Sequence, residues 1–304
     1  MTIDTALEKP RVAEDPAPER PAPPPVAIGR RRRILASLRP LVRRPGFLVA
    51  AGFVLLVVFA AAFPSALATH DPTATEAAAK LAPPSGAHWF GTDEIGRDLF
   101  SRVVHGTTLS VQAALLAVLI AVAGGVTLGV VAGFAGGRID AVLMRVVDVL
   151  LAIPGLLLAL AIITAIGFGT VPVAVAVGVG IIPGFARTTR AEVLRVKTLP
   201  YVEAARLGGA SWPRVLVRHI LPNSWAPVSV LAVLDFGSAI LVAAGLSFLG
   251  FGAAPPAAEL GTLIANGRTY LMTAPWVSLL PGLFLVLLVF AINHVSRTLE
   301  EVTR

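Results

Sequence analysis

The sequence predicts an all-α protein that crosses a membrane six times. Three observations carry that expectation. Of its 304 residues, 56% are hydrophobic and 14% charged, at a mean hydropathy of +0.80; soluble domains run near about 45–50% apolar and about 25% charged. The apolar residues gather in runs long enough for a helix to span about 30 Å of hydrocarbon. Lysine and arginine fall mostly in alternate gaps between those runs.

Residues 1–45 are rich in Pro, Ala and Glu and nearly free of large apolar residues up to about residue 29. They cannot bury enough surface to fold, so a disordered extension is expected. Arg30 to Arg33, then Arg39, Arg43 and Arg44, end it. Such a basic run sets orientation and meets anionic lipid. Gly46 to about Leu67 is the first span, and a polar loop continues to about residue 105. Within that loop Phe90 to Gly106 reads as a short helix. Thr92 is its expected cap, Asp93 and Glu94 lie in its first turn, Asp98 and Arg102 form an i, i+4 pair, and Gly106 is its stop.

The core, residues 106–296, begins with a span from Thr108 to Phe134. Gly125, Gly129 and Gly133 recur every four residues there, a face suited to close helix packing. Gly136 and Gly137 turn the chain into a third span, about Met144 to Ile166, which Pro154 should kink near mid-bilayer. Asp148, three residues from Arg145, is expected to pair with it. Gly167 and Gly169 turn into a fourth span at about 170–186, and a polar loop occupies 187–223. The fifth span runs from about Trp225 to Gly250, an outer loop from Phe251 to Pro275, the sixth span from Trp276 to His294, and the tail covers 297–304.

With the N-terminus inside, segments 1–45, 136–146, 187–223 and the tail hold 10, 2, 7 and 2 of the 25 lysines and arginines. Only Lys80, Arg97, Arg102 and Arg268 are left outside. The net charge of +7 is therefore a topology signal rather than a nucleic-acid footprint.

No catalytic set emerges. The sequence has no G-x-x-x-x-G-K-[ST] phosphate loop and no H-E-x-x-H. Histidines 70, 88, 105, 219 and 294 show no ligand spacing, and cysteine is absent. No metal or cofactor is expected on this chain. Asp235 lies ten residues into the fifth span, where a carboxylate is costly and faces a water-filled path or a partner. With Pro154 and Asp148 it makes up the pathway and gate candidates.

The chain is organised around Tyr201 to Asn223. Pro200 gives a stiff entry, Glu203 to Leu207 are good helix formers, and Glu203 suits the positive end of the helix. Gly208 and Gly209 stop that helix with a positive-φ turn. Ser211 and Pro213 open a second helix. On it Trp212, Val215, Leu216, His219 and Ile220 make one face, and Leu221 and Pro222 are the expected end. An apolar face outside the bilayer calls for a partner groove.

Glu203, Ala204 and Ala205, then Gly209, then Leu221 and Pro222, resemble the EAA loop of ABC importer permeases. The form His219 to Asn223 is similar to the dipeptide, oligopeptide and nickel branch. So are Gly91-Thr92-Asp93 with Gly96-Arg97-Asp98, and Leu246 to Gly250 with Pro255-Pro256 and Ala274-Pro275-Trp276. Ala243 and Leu260 depart from that branch, where many relatives carry Glu and Trp.

The resemblance implies the type I ABC importer permease fold, with coupling helices that dock on an ATP-binding subunit in the cytoplasm. It implies a bacterial inner-membrane location with both termini cytoplasmic. The implied partners are a homologous second permease, two ATP-binding subunits that hold ATP and Mg, and an external solute-binding protein. The implied cargo is a dipeptide or oligopeptide, with nickel, glutathione or haem as alternatives. An ion-driven secondary carrier is the competing class. It calls for intramembrane acids and inverted repeats, and the sequence offers one mid-span acid and no repeat.

Overall fold

The computed structural model describes residues 44–303, so the expected extension at 1–45 lies almost wholly outside the described residues. The described chain is a helical bundle. Helix α1 (Pro45–Ala62) is followed by a short α2 (Pro64–Leu67), then α3 (Leu99–Ala135), α4 (Gly137–Ala152) and α5 (Gly155–Ile166). After these come α6 (Thr170–Lys197), α7 (Pro200–Leu207), α8 (Trp212–Phe248), α9 (Leu260–Gly267) and α10 (Trp276–Thr303). Helices α1, α3, α6, α8 and α10 are each long and apolar enough to cross a membrane.

The expected third span is broken. Helices α4 and α5 form one span only as a pair, bent by 96°. Pro154 does not kink a continuous helix as expected. It forces Ile153 into an extended conformation, ends α4 and caps α5.

Packing follows the small residues. The glycine face of α3 lies against α6. A Cβ on Gly125 would meet the Ile182 carbonyl at 2.9 Å, one on Gly129 the Ala186 carbonyl at 2.5 Å, and one on Gly133 the Val193 side chain at 2.9 Å. The backbones touch because nothing larger stands between them. The main core joins Val103, Ala114, Ala117, Ala174 and Val177 to Ile240, Leu246, Leu260 and Leu288. Ala243 and Leu260, the two departures from the branch pattern, are both buried there. The outer faces of α1, α3 and α10 expose Val49, Phe59, Leu119, Leu283 and Phe290, as helices in lipid do.

The loop before α3 differs from expectation. Phe90 to Asp98 is turns, not helix, and the helix starting at Leu99 runs straight through Gly106. Asp98, not Thr92, is the cap, accepting from the Ser101 amide at 2.8 Å. Thr92 is used elsewhere: it receives the Ala82 amide at 2.8 Å and donates to the Ala79 carbonyl. Asp98 does not pair with Arg102. Arg102 and Arg97 instead converge on buried Asp93, at 3.5 and 2.6 Å. Burial pushes the Asp98 carboxyl up, but the Ser101 hydroxyl and amide and the His88 ring outweigh it, holding the group below its ordinary value.

The outer loop before α10 contains a helix, α9. Buried Glu259 precedes it and gathers Thr170, the Ser247 hydroxyl at 2.7 Å and the Ala253 amide at 3.1 Å. One carboxylate thereby joins α6, α8 and the loop.

Candidate functional site

Glu203, Ala204, Ala205, Gly209, Trp212, Leu216, His219, Leu221 and Pro222 fall on α7, the turn that ends it and the start of α8. Pro200 occupies the first turn of α7 and Glu203 lies in that turn. The Gly209 amide donates to the Arg206 carbonyl at 2.9 Å, and the Ala210 amide to Ala205 at 3.1 Å. Those two bonds make a Schellman ending, with Gly209 at φ +83°. Nothing lies within 4 Å of a Cβ built on Gly209. Glycine is needed there for its backbone, not for space. Ser211 stands at the cap of α8, but its hydroxyl makes no capping bond.

Most of the apolar face is spent inside the chain rather than left for a partner, although Trp212 stays 38% exposed. Val202, Val215 and Ile220 are buried against Val193 and Val196, with Val130, Phe134 and Leu216 beside them. Trp212 meets Phe134 edge-on at 5.2 Å, and the Arg206 guanidinium lies 4.0 Å from the Trp212 ring centre. Lys197 donates to the Phe134 carbonyl at 2.9 Å, satisfying the C-terminal end of α3. His219 stands 6.2 Å from the Tyr201 ring. The element is thus clamped to the ends of α3 and α6. Exposed on it are Tyr201, Glu203, Ala204, Arg206, Gly208, Gly209, Trp212, Pro213, Arg214 and Leu207, the last 86% exposed. Glu203 has no side-chain hydrogen bond or ion pair among the described residues.

Leu221 and Pro222 do not end the helix, which is a second correction. The chain passes from Trp212 to Phe248 without a break, through a π-helical turn at Leu216–Ile220. That wide turn sits just before Pro222, whose ring and missing N–H disrupt regular α-bonding. The Leu221 amide reaches back to Leu216, and the Asn223 side chain donates to the His219 carbonyl at 2.7 Å. The Leu-Pro pair is a joint inside a rod.

The remaining candidates lie elsewhere. Asp148 pairs with Arg187 at 2.6 Å, not with Arg145. Both groups are about half exposed, so the pair is worth at most about 1 kcal/mol. Asp140, which the sequence reading did not single out, takes Arg190 in a two-pronged pair, with Nη2 to Oδ2 at 2.6 Å. Both pairs tie α4 to α6; partners 39 and 50 residues apart leave no local signal. Asp235 is half-buried on α8 and has no hydrogen-bond or ion-pair partner among the described residues. Leu231 and Leu234 beside it line a cavity of about 500 Å³ with Thr188, Pro227 and Glu300. Pro154 is at the α4–α5 break.

A family model described as binding-protein-dependent transport system inner membrane component matches residues 125–302. The chain belongs to that family. This transport component is also 44% identical over 249 residues to the probable D,D-dipeptide transport system permease protein DdpC of Escherichia coli (strain K12), covering 82% of this chain and 84% of that protein. It is 43% identical to the di/tripeptide transport system permease protein DppC of Pseudomonas aeruginosa (strain UCBPP-PA14), over 82% and 84% of the two chains. It is also 43% identical to the glutathione transport system permease protein GsiD of Pectobacterium atrosepticum, over 72% of each. Among solved structures, an inward-facing form of the MetNI methionine ABC transporter superposes with a TM-score of 0.53 at 21% identity, over 67% of this chain and 97% of that one. That likeness shows the fold, the helical permease fold of ABC importers. A multi-span inner membrane component of this family works with ATP-hydrolysing and solute-binding partners in general.

Proposed function

We propose that this chain is a permease subunit of an ATP-driven importer of short peptides, moved through the handle formed by α7 and the start of α8. The observation that carries this is continuity. The exposed Glu203–Gly209 surface is clamped to α3 and α6 beside it and leads, through the short turn at 208–211, into the unbroken rod Trp212–Phe248. A push on the handle therefore moves three crossings together. The chain has no phosphate loop of its own, so the push must come from outside it.

The rest of the assembly follows from this reading. Two ATP-binding subunits hold ATP and Mg, and this chain binds neither. A homologous second permease completes a heterodimer, and an external solute-binding protein delivers cargo. The split of 21 basic residues against four supports cytoplasmic termini and a cytoplasmic handle in the bacterial inner membrane. Short peptides are favoured because the relatives named above are D,D-dipeptide, di/tripeptide and glutathione permeases. Asp235, half-buried and without a partner among the described residues, is the pathway residue of this reading, with Pro154 at the α4–α5 break and Asp148 on α4.

The test is uptake of a labelled dipeptide by the complete complex in proteoliposomes. Uptake is expected to need ATP and to stop with vanadate. Glu203→Lys should leave insertion and assembly intact while cutting uptake on the order of tenfold or more. Wild-type uptake by both Glu203→Lys and Gly209→Leu refutes the handle. Uptake driven by an ion gradient without ATP refutes the importer class.

A further inference from the structure

The sequence places His70, His88 and Asp98 far apart, yet the fold gathers them into one cluster at the start of α3. Their ligand atoms all lie within 4.8 Å of one another. His88 Nδ1 is 2.9 Å from Asp98 Oδ1, and His70 Nδ1 is 3.7 Å from the same oxygen. The imidazole rings face each other with centres 4.8 Å apart.

We propose that His70 Nδ1, His88 Nδ1 and Asp98 Oδ1 form a binding site for a divalent metal ion of the zinc type. Four ligands set about 2.0–2.1 Å from zinc stand roughly 3.3 Å from one another. Two of the three separations, 2.9 and 3.7 Å, bracket that figure and all lie within 4.8 Å, so an ion is seated once the rings shift and His70 Nδ1 gives up its 3.0 Å contact with the Thr69 hydroxyl. The ligand set also selects. Two imidazoles and one carboxylate suit zinc and its late-transition neighbours, whereas calcium and magnesium ask for oxygen alone.

The surroundings are built as a metal site requires. The second Asp98 oxygen is held by the Ser101 amide at 2.8 Å and the Thr69 hydroxyl at 3.3 Å. That leaves Oδ1 free to point at the histidines, the orienting role of an outer shell. The Ser101 hydroxyl takes the His70 amide at 3.0 Å, and the Ser85 hydroxyl takes the His88 amide at 3.1 Å, fixing both backbones. Exposure is graded. The Asp98 side chain is 1% exposed, His88 17% and His70 42%. The ion has a dry floor and an open side, where water takes the fourth position and through which it enters. Bound there, it pins the loop between α2 and α3 to the first turn of α3 at two points.

The experiment uses the purified full complex carrying a purification tag without histidine, stripped with chelator and titrated with zinc against a chromogenic competitor. Wild type is expected to take one tightly bound zinc per chain at this site. His70→Ala should weaken that affinity by at least about 100-fold, taking the upper end of measured outer-shell losses as the floor for losing a ligand. Cobalt should give the intense visible absorption of a four-coordinate ion in wild type, lost in His88→Gln. Zinc should also raise the unfolding temperature of wild type and not of His70→Ala. Equal zinc affinity of wild type and His70→Ala overturns the proposal, as does a wild-type cobalt spectrum of octahedral, water-like intensity. Either result leaves a hydrogen-bonded cluster only. His70→Gln, at an exposed position, serves if the alanine variant is poorly assembled.

Discussion

Helix α3 carries a polar region at each end, and the two are held by opposite means. Before its first turn the loop is fastened by charge: Asp93 receives Arg97 and Arg102, and Asp98 receives Ser101 and His88, all at nearly dry positions. Beside its last turn, α7 and the start of α8 are fastened by Val202, Val215 and Ile220, with aromatic and cation–π contacts around Trp212. The acidic group of that second region, Glu203, faces out with no partner among the described residues. Buried ion pairs fix one geometry and fail badly when a partner is lost. An apolar seat holds an element while leaving its polar face free. The first region is suited to staying put, the second to being gripped.

The sharpest way to break this contrast is Asp93→Ala. It removes the shared carboxylate of two buried guanidinium groups, leaving, among the described residues, Arg97 only Glu94 at 3.4 Å and Arg102 only the Pro72 carbonyl at 3.2 Å, and a loss of about 3 kcal/mol is expected. The measurements are protein level in the membrane and thermal unfolding in detergent; a level equal to wild type would mean that the charges are not what holds this end. Next comes Ile220→Ala, which should cost about 2–5 kcal/mol by leaving a cavity under the handle. Here uptake should fall together with stability, since the clamp to α3 and α6 loosens.

Glu203→Lys sharpens the contrast in the other sense. An exposed, unpaired site should change stability by no more than about 0.5 kcal/mol, and only uptake should suffer. A parallel fall in unfolding temperature would show that Glu203 is structural. The smallest effect is a pH dependence at Asp71. Its carboxyl is held below the ordinary value chiefly by the Thr73 hydroxyl, at 2.6 Å, and then by the Thr73 amide. The stabilisation is complete above the unfolded value of about 3.9 and fades as pH falls through the lower folded value. Thr73→Val should flatten that acid limb in a stability–pH profile, and an unchanged limb would assign it to other carboxylates.

The spans were legible because a helix in lipid must be apolar along its whole length, a constraint any local window detects. The Gly125, Gly129 and Gly133 face was legible for a similar reason, since a four-residue period puts small residues in one stripe. The turn at Gly208 and Gly209 could be read from backbone chemistry alone. Other features were not local. Thr92 has the composition of a cap but is claimed by the Ala79–Ala82 loop, and Asp98 takes its place. Gly106 looked like a stop, yet α3 runs straight through it, packed beside the Ala258 carbonyl. Asp148 had Arg145 nearby in sequence, but Arg187 reached it first in space. Pro222 looked like an ending because proline resists regular helix, and a single π turn was enough to carry the helix past it.

The sequence by itself determined what this protein is made to sit in, and where its handle begins. Hydropathy and the placing of basic residues answer to solvent and membrane, which act on each segment separately. Only the tertiary structure decided which faces are spent inside the chain and which are left for others. It turned the apolar face of α8 inward, left Glu203 and Leu207 outside, and brought His70 and His88 to one carboxylate. The reason is that burial and ligand geometry are properties of pairs distant along the chain. Composition and periodicity, read segment by segment, carry no signal of such pairs.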